Sequence, residues 1–125
     1  MTFVGLRESV GDYLQLMDVF ALPSGPDEGF GNALVEAMAV GIASVVFADG
    51  GGLLEHISDG HTGLVAHDQS DFERRLGQLI EDSHLRRRLG SSARALVRTR
   101  YTVEDAASGY ARLYSLSLAG SSAAA

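Results

Sequence analysis

A parallel α/β sheet of about four strands flanked by helices, Rossmann-like in plan, is the fold class that this sequence predicts. Three observations point to it. Short continuous apolar runs recur and are closed by turn residues, as expected of strands covered on both faces. Helix-period stripes lie between and after those runs, and Pro, Gly and Asn cluster at the joints, which is the alternation of a βα sheet.

Taken in order, Thr2-Phe3-Val4 before Gly5-Leu6 reads as a short strand, and Ser9 caps a helix to about Leu16. Asp18–Leu22 is a buried strand stopped by Pro23-Ser24. Asn32 is a good N-cap for a helix from Ala33 to Val40, which is apolar on nearly every side and carries Glu36 as its one charge. An ionised group on such a surface needs a ligand hydroxyl, a backbone donor or the mouth of a cleft. Gly41 ends the helix and Ala43–Phe47 is the next strand. Asp49-Gly50-Gly51-Gly52 turns the chain into a short helix, Leu53–Ile57. Without a lysine or the P-loop spacing, that glycine run reads as a turn where backbone passes closely. After the turn signals Asp59-Gly60 and Thr62-Gly63, Leu64–Ala66 is the last strand.

Three helices should follow. Phe72, Leu76, Leu79 and Ile80 fall at helical spacing behind a Ser70 or Asp71 cap. Leu85, Leu89, Ala93, Leu96 and Val97 make the second. Thr102 with Asp105 opens the third, whose Val103, Ala106, Ala107, Tyr110, Leu113 and Tyr114 are expected in the core. Residues 1–118 make one domain, and 119–125 a disordered tail.

Composition narrows the function classes. With 46% apolar residues the 125-residue chain can build a core, and no apolar run approaches the ~20 residues of a membrane span. There is no cysteine, hence no disulfide framework and no thiolate metal site, and a cytoplasmic location is expected. All ten basic residues are Arg, which excludes a Schiff-base or P-loop lysine within the chain and argues against a receiver-type signalling domain. The four histidines, His56, His61, His67 and His84, show no metal-ligand spacing, so no metal is assigned. The Arg86–Arg88 cluster reads as the solvated face of a helix, and nucleic acid is not an expected partner.

The stretch with chemistry in it is Asp27–Glu36. Glu28 on a loop and Glu36 one turn inside a helix bracket Gly29, Phe30, Gly31 and Asn32. First-turn N–H groups near Asn32, Ala33, Leu34 and Val35 would point between the two carboxylates, making a seat for an anion flanked by hydroxyl groups. A nucleoside-diphosphate sugar fits that description. The seat lies in an acidic half of the chain: residues 1–66 hold Arg7 against nine acids, so cationic side chains for a pyrophosphate are lacking there.

These residues resemble the E-x7-E element of retaining GT-B glycosyltransferases of the family 4 type. The resemblance continues in Val19–Ser24, in Gly51-Gly52 with Glu55, in Asp59-Gly60 with Thr62–Val65, and in Tyr101-Thr102 with Glu104-Asp105. It covers roughly residues 3–118 and implies the later part of a truncated GT-B C-terminal domain, which binds the sugar donor. It further implies Glu28 as the catalytic candidate at a hydroxyl of the transferred sugar and Glu36 at the donor ribose. Gly29, Phe30, Gly31, Asn32, Ala33 and Leu34 would line the donor, with Glu55 near its end.

The nucleotide-diphosphate sugar would be substrate, with no cofactor, and an N-terminal acceptor domain would be a missing partner. The Arg and Lys that hold phosphates in the family lie upstream of this element, so the chain alone should be inactive. The intact enzyme would be cytoplasmic or peripheral at a membrane. An epimerase-like enzyme or a non-catalytic interaction domain on the same fold are the alternatives. In the strand order 3-2-1-4-5-6 this chain would leave a gap beside its first strand. Residues 2–5 should then re-pair or lie loose, and the open edge should favour a homodimer.

Overall fold

The structure, a computed structural model, describes residues 1–122. Its elements are α1 (Val10–Leu14), β1 (Val19–Leu22), α2 (Asn32–Val40), β2 (Ala43–Phe47), a 3₁₀ turn (Gly51–Glu55), β3 (Leu64–Ala66), α3 (Gln69–Glu81), α4 (Ser83–Arg100) and α5 (Val103–Ser122). The sheet is parallel throughout, in the order β1-β2-β3, with Val19 opposite Ala43 and Val45 opposite Leu64. The α/β architecture is as expected, with three strands in place of about four.

Thr2–Val4 is not a strand, and residues 1–12 are exposed. A strand is stable only beside another that takes its hydrogen bonds, and residues 2–5 lie beside no strand of the sheet β1-β2-β3. Residues 2–5 therefore lie loose. β2 is the central strand, and because successive residues face opposite ways its apolar run is buried on both sides. One cluster joins Val46 to Leu34 and Met38 of α2, Leu53 of the 3₁₀ turn, and Ala93 and Val97 of α4. The other joins Ala43, Val45 and Leu64 to Phe72 and Leu79 of α3 and Leu89 of α4. Each fully buried Leu contributes about 1.5–3 kcal/mol relative to exposure, so Leu53 pins the turn that carries it.

Several local expectations are corrected by the backbone. α2 starts one residue early: Gly31, not Asn32, is its N-cap, at φ 75° and ψ 47°, a left-handed conformation that glycine enters without a Cβ penalty. α2 is buried on one face only, through Leu34, Ala37 and Met38, so Glu36 stands on a solvated face. The expected helix at 53–57 is instead a 3₁₀ turn at 51–55, begun by the Leu53 N–H donating to the Gly50 carbonyl at 3.1 Å.

The caps of α3 and α4 are Asp68 and Asp82, whose carboxylates accept from first-turn N–H groups. The Thr102–Asp105 box does open α5, with the Asp105 N–H donating to the Thr102 hydroxyl at 3.0 Å. Its apolar side is exposed, however: Val103, Tyr110, Leu113 and Tyr114 touch no core, because no element of the described chain lies over them. The expected tail begins inside α5, which runs to Ser122, and residues 123–125 lie outside the described residues.

Arginines serve as ties. Arg75 donates to Asp71 at 2.9 Å and to Asp59 at 2.6 Å, joining α3 to the turn before β3. Arg86 donates to the carbonyls of Leu79 and Ile80, Arg87 to that of Ser83 and Arg88 to that of Gly60, so all three members of the 86–88 cluster are engaged with carbonyls. The His67 N–H, the Arg75 guanidinium and that of Arg74 hold the Asp71 carboxyl down at about 2.

Candidate functional site

Because β1 and β2 are parallel neighbours, the segments leaving their carboxyl ends emerge side by side. One is the Pro23–Gly31 loop, the other the Ala48–His56 turn. They are bonded to each other: the Gly52 N–H donates to the Glu28 carbonyl at 3.0 Å, while the Glu28 N–H donates to Gly25 at 3.1 Å. Two glycines make the approach possible. A Cβ at Gly51 would stand 2.5 Å from the Glu28 carbonyl oxygen, and one at Gly52 would overlap the Gly29 carbonyl. Close passage of backbone is thus what the glycine run serves.

The loop delivers α2 with an open N-terminus. Gly31 has no side chain to turn back on the helix, so the first turn keeps donors that an Asn cap would have taken. Leu34 and Val35 donate to the Gly31 carbonyl at 2.9 and 3.2 Å, and the Leu34 side chain is core. Their N–H groups are therefore occupied. Among the described residues, the N–H groups of Gly31, Asn32 and Ala33 have no hydrogen-bond acceptor. Gly29, Phe30, Asn32 and Ala33 are exposed at this rim.

The three candidate carboxylates are not brought together in one cavity. Glu28 is half-buried on the loop. Glu36 lines a cavity of about 530 Å³ between α2 and the start of α1, with Glu8, Ser9, Val10 and Gly11 opposite. Glu55 lines another of about 610 Å³ against α4. None of the three side chains has an ion pair or hydrogen bond among the described residues, so each is free to accept from a ligand hydroxyl.

Three residues that sequence reasoning did not assign to the site are brought to it. Arg100, from the last turn of α4, donates to the Glu55 carbonyl at 3.0 Å and lies 5.6 Å over the Tyr101 ring. It supplies a cation beside the acidic half. With Phe30, Tyr101 and the first turns of α5 it lines a cavity of about 510 Å³. His56 is buried and bonded through both ring nitrogens, to Tyr101 and to Phe30. Tyr101 carried a place in the family pattern but no role, and His56 follows Glu55 with no periodic or motif signal of its own.

The arrangement is a parallel α/β domain with an open helix head at the carboxyl edge of its sheet, and comparison with known proteins gives its family. The model of the family "Glycosyl transferases group 1" matches residues 1–96. A D-inositol 3-phosphate glycosyltransferase of Streptomyces bingchenggensis is 34% identical over 91% of this chain and 25% of its own length. Sucrose-phosphate synthase of Thermosynechococcus elongatus superposes with a TM-score of 0.85 at 29% identity, over 95% of this chain and 30% of that one. The HepE protein of Anabaena, solved with UDP and glucose, superposes with a TM-score of 0.82 at 27% identity, over 91% of this chain and 31% of that one.

This chain belongs to the glycosyl transferases group 1 family, and its fold is that of a GT-B glycosyltransferase domain. It spans about a quarter of the curated relative's length. Among the described residues no helix is long and apolar enough to cross a membrane.

Proposed function

We propose that this chain forms the donor-binding side of a retaining glycosyltransferase that moves a sugar from a nucleoside-diphosphate sugar to an acceptor hydroxyl. The observation that carries the reading is the open head of α2, where the N–H groups of Gly31, Asn32 and Ala33 have no acceptor among the described residues, with Glu28 before it in the loop and Glu36 one turn into the helix. Support from relatives is that the Anabaena protein is solved with UDP and with UDP-glucose.

In this reading the diphosphate lies at the helix head, where N–H groups and the macrodipole favour negative charge. As the bond to the sugar breaks, charge builds on the leaving diphosphate and these fixed donors stabilise it without reorganising. Glu36 takes the ribose hydroxyls across the cavity it shares with α1. Glu28 takes a hydroxyl of the transferred sugar, and Glu55 sits near the donor's end. The donor is a substrate, and the reading assigns no cofactor or metal. Acceptor binding is assigned to the remainder of a longer enzyme, so the chain alone should transfer no sugar. Measurable transfer by this chain would contradict that.

Ligand-observed NMR of the chain with UDP-, GDP- and ADP-sugars, beside Glu36→Ala, tests the reading. Binding of one nucleotide class that disappears in the variant is expected. Binding unchanged in Glu36→Ala would remove Glu36 from the site.

A further inference from the structure

The donor loop is held from below by one buried side chain. His56 closes the 3₁₀ turn and is only 2% exposed. Its Nε2 lies 2.6 Å from the Phe30 carbonyl oxygen and its Nδ1 lies 2.5 Å from the Tyr101 hydroxyl. A carbonyl oxygen can only accept, so Nε2 carries the proton. In the neutral ring Nδ1 then offers a lone pair, and the Tyr101 hydroxyl donates to it. The Phe30 ring packs edge-on against His56 at 4.5 Å and Tyr101 at 6.0 Å, so the contact has three walls.

The bonded carbonyl belongs to the peptide that also carries the Gly31 N–H. A trans peptide is planar, with C=O and N–H pointing opposite ways. Fixing the Phe30 carbonyl on the buried imidazole therefore aims the Gly31 N–H the opposite way, toward the exposed Asn32 and Ala33, while Gly31 itself is buried against Leu53. That N–H is one of the three left without an acceptor at the head of α2. Left-handed Gly31 is the residue about which this peptide would otherwise turn most freely.

We propose that His56 is a positioning residue of the donor site: it sets the Phe30–Gly31 peptide so that the Gly31 N–H is presented to the donor, and Tyr101 steadies the imidazole by donating to Nδ1. This rests on the donor reading above. It also links the donor loop to the α4–α5 junction, since Tyr101 is the residue at which α4 ends.

Isosteric amides separate positioning from filling space. A Gln amide nitrogen falls near the place of Nε2, whereas an Asn amide nitrogen falls near Nδ1 and cannot reach Phe30. The labelled chain would be compared with His56→Gln, His56→Asn and Tyr101→Phe by imidazole nitrogen shifts, amide exchange and titration with UDP-glucose, GDP-mannose and ADP-glucose. The expected result is the Nε2–H tautomer in the wild type. His56→Asn should bind the donor about three- to tenfold more weakly, the worth of one hydrogen bond, with faster exchange at Gly31–Ala33. His56→Gln should restore most of both, and Tyr101→Phe, which keeps the packing and the Phe30 carbonyl, should keep the Nε2–H tautomer while speeding exchange at Gly31–Ala33.

An Nδ1–H tautomer, or equal losses in Gln and Asn, would overturn the proposal. Undiminished donor binding by His56→Asn would overturn it while leaving the donor reading intact. A wild-type chain with the expected tautomer that binds none of the three sugars would overturn the donor reading for a chain without the upstream phosphate cations, and with it the positioning role, leaving His56 a loop anchor.

Discussion

α4 and α5 are consecutive helices of 18 and 20 residues, both striped with apolar side chains, yet one is core and the other is bare over residues 103–116. α4 sends Leu89, Ala93 and Val97 into the sheet, and its Gly90 lies against the Gly41 carbonyl. α5 leaves Val103, Tyr110, Leu113 and Tyr114 in solvent. A stripe at helical period says that a helix has an apolar face. It does not say that anything within reach covers it.

The largest expected effect separates the two helices by cavity formation. Leu89→Ala should cost about 2–5 kcal/mol, the usual range for a buried Leu, whereas Leu113→Ala should stay within about 0.5 kcal/mol of wild type. Urea unfolding followed by circular dichroism would measure both. Equal losses would mean that α5 is covered in solution after all.

The same contrast should change sign at glycine. In α4 an added Cβ at Gly90 overlaps the Gly41 carbonyl, and Gly90→Ala should cost about 1–3 kcal/mol as an overpacked contact. In α5 a Cβ at Gly109 meets nothing, and Gly109→Ala should stabilise that helix by about 0.5–1 kcal/mol through backbone entropy. Thermal melts of the two variants should move in opposite directions.

What the sequence reveals follows the same division. The strands were legible because a strand covered on both faces is a continuous apolar run, and 19–22, 43–47 and 64–66 are such runs. Glu28 and Gly51-Gly52 stood out as loop motifs after two strands, and parallel pairing of those strands is what brings them together. The strand expected at 2–4 failed because pairing is a property of two segments. Gly31 displaced Asn32 as cap because a left-handed residue is needed there, and propensity alone favours Asn. His56 and Tyr101 meet across 45 residues, a separation at which no local period carries information.

Acid should loosen the covered part before it touches α5. Asp71 has its folded-state pKa lowered from an ordinary 3.8 to about 2 by the His67 N–H and by Arg75 and Arg74. Asp82, the cap of α4, is lowered too, by the Leu85 and His84 N–H groups. A carboxyl lowered on folding adds stability that is fully present above its unfolded pKa and is lost as pH falls through the folded value. Stability from Asp71 should therefore drain between about pH 4 and pH 2. Asp71→Asn should be less stable than wild type at pH 6 and closer to it at pH 2.5. A constant difference across that window would refute the linkage.

The smallest effect expected is on association, and it decides which uncovered surface the chain uses. β1 exposes one edge of unpaired backbone groups, and α5 exposes an apolar face. We propose that copies pair through the β1 edge, because strand addition satisfies directional groups that side-chain contact on α5 would leave bare. β1 has only four residues and Pro23 follows it, so such pairing should be weak and seen only at high concentration. Amide shifts recorded over a concentration series would then move at Val19–Leu22 while Val103–Leu116 stay fixed. Movement confined to α5 would transfer the interface to its apolar face, and a chain monomeric at every concentration, with neither set moving, would end the proposal.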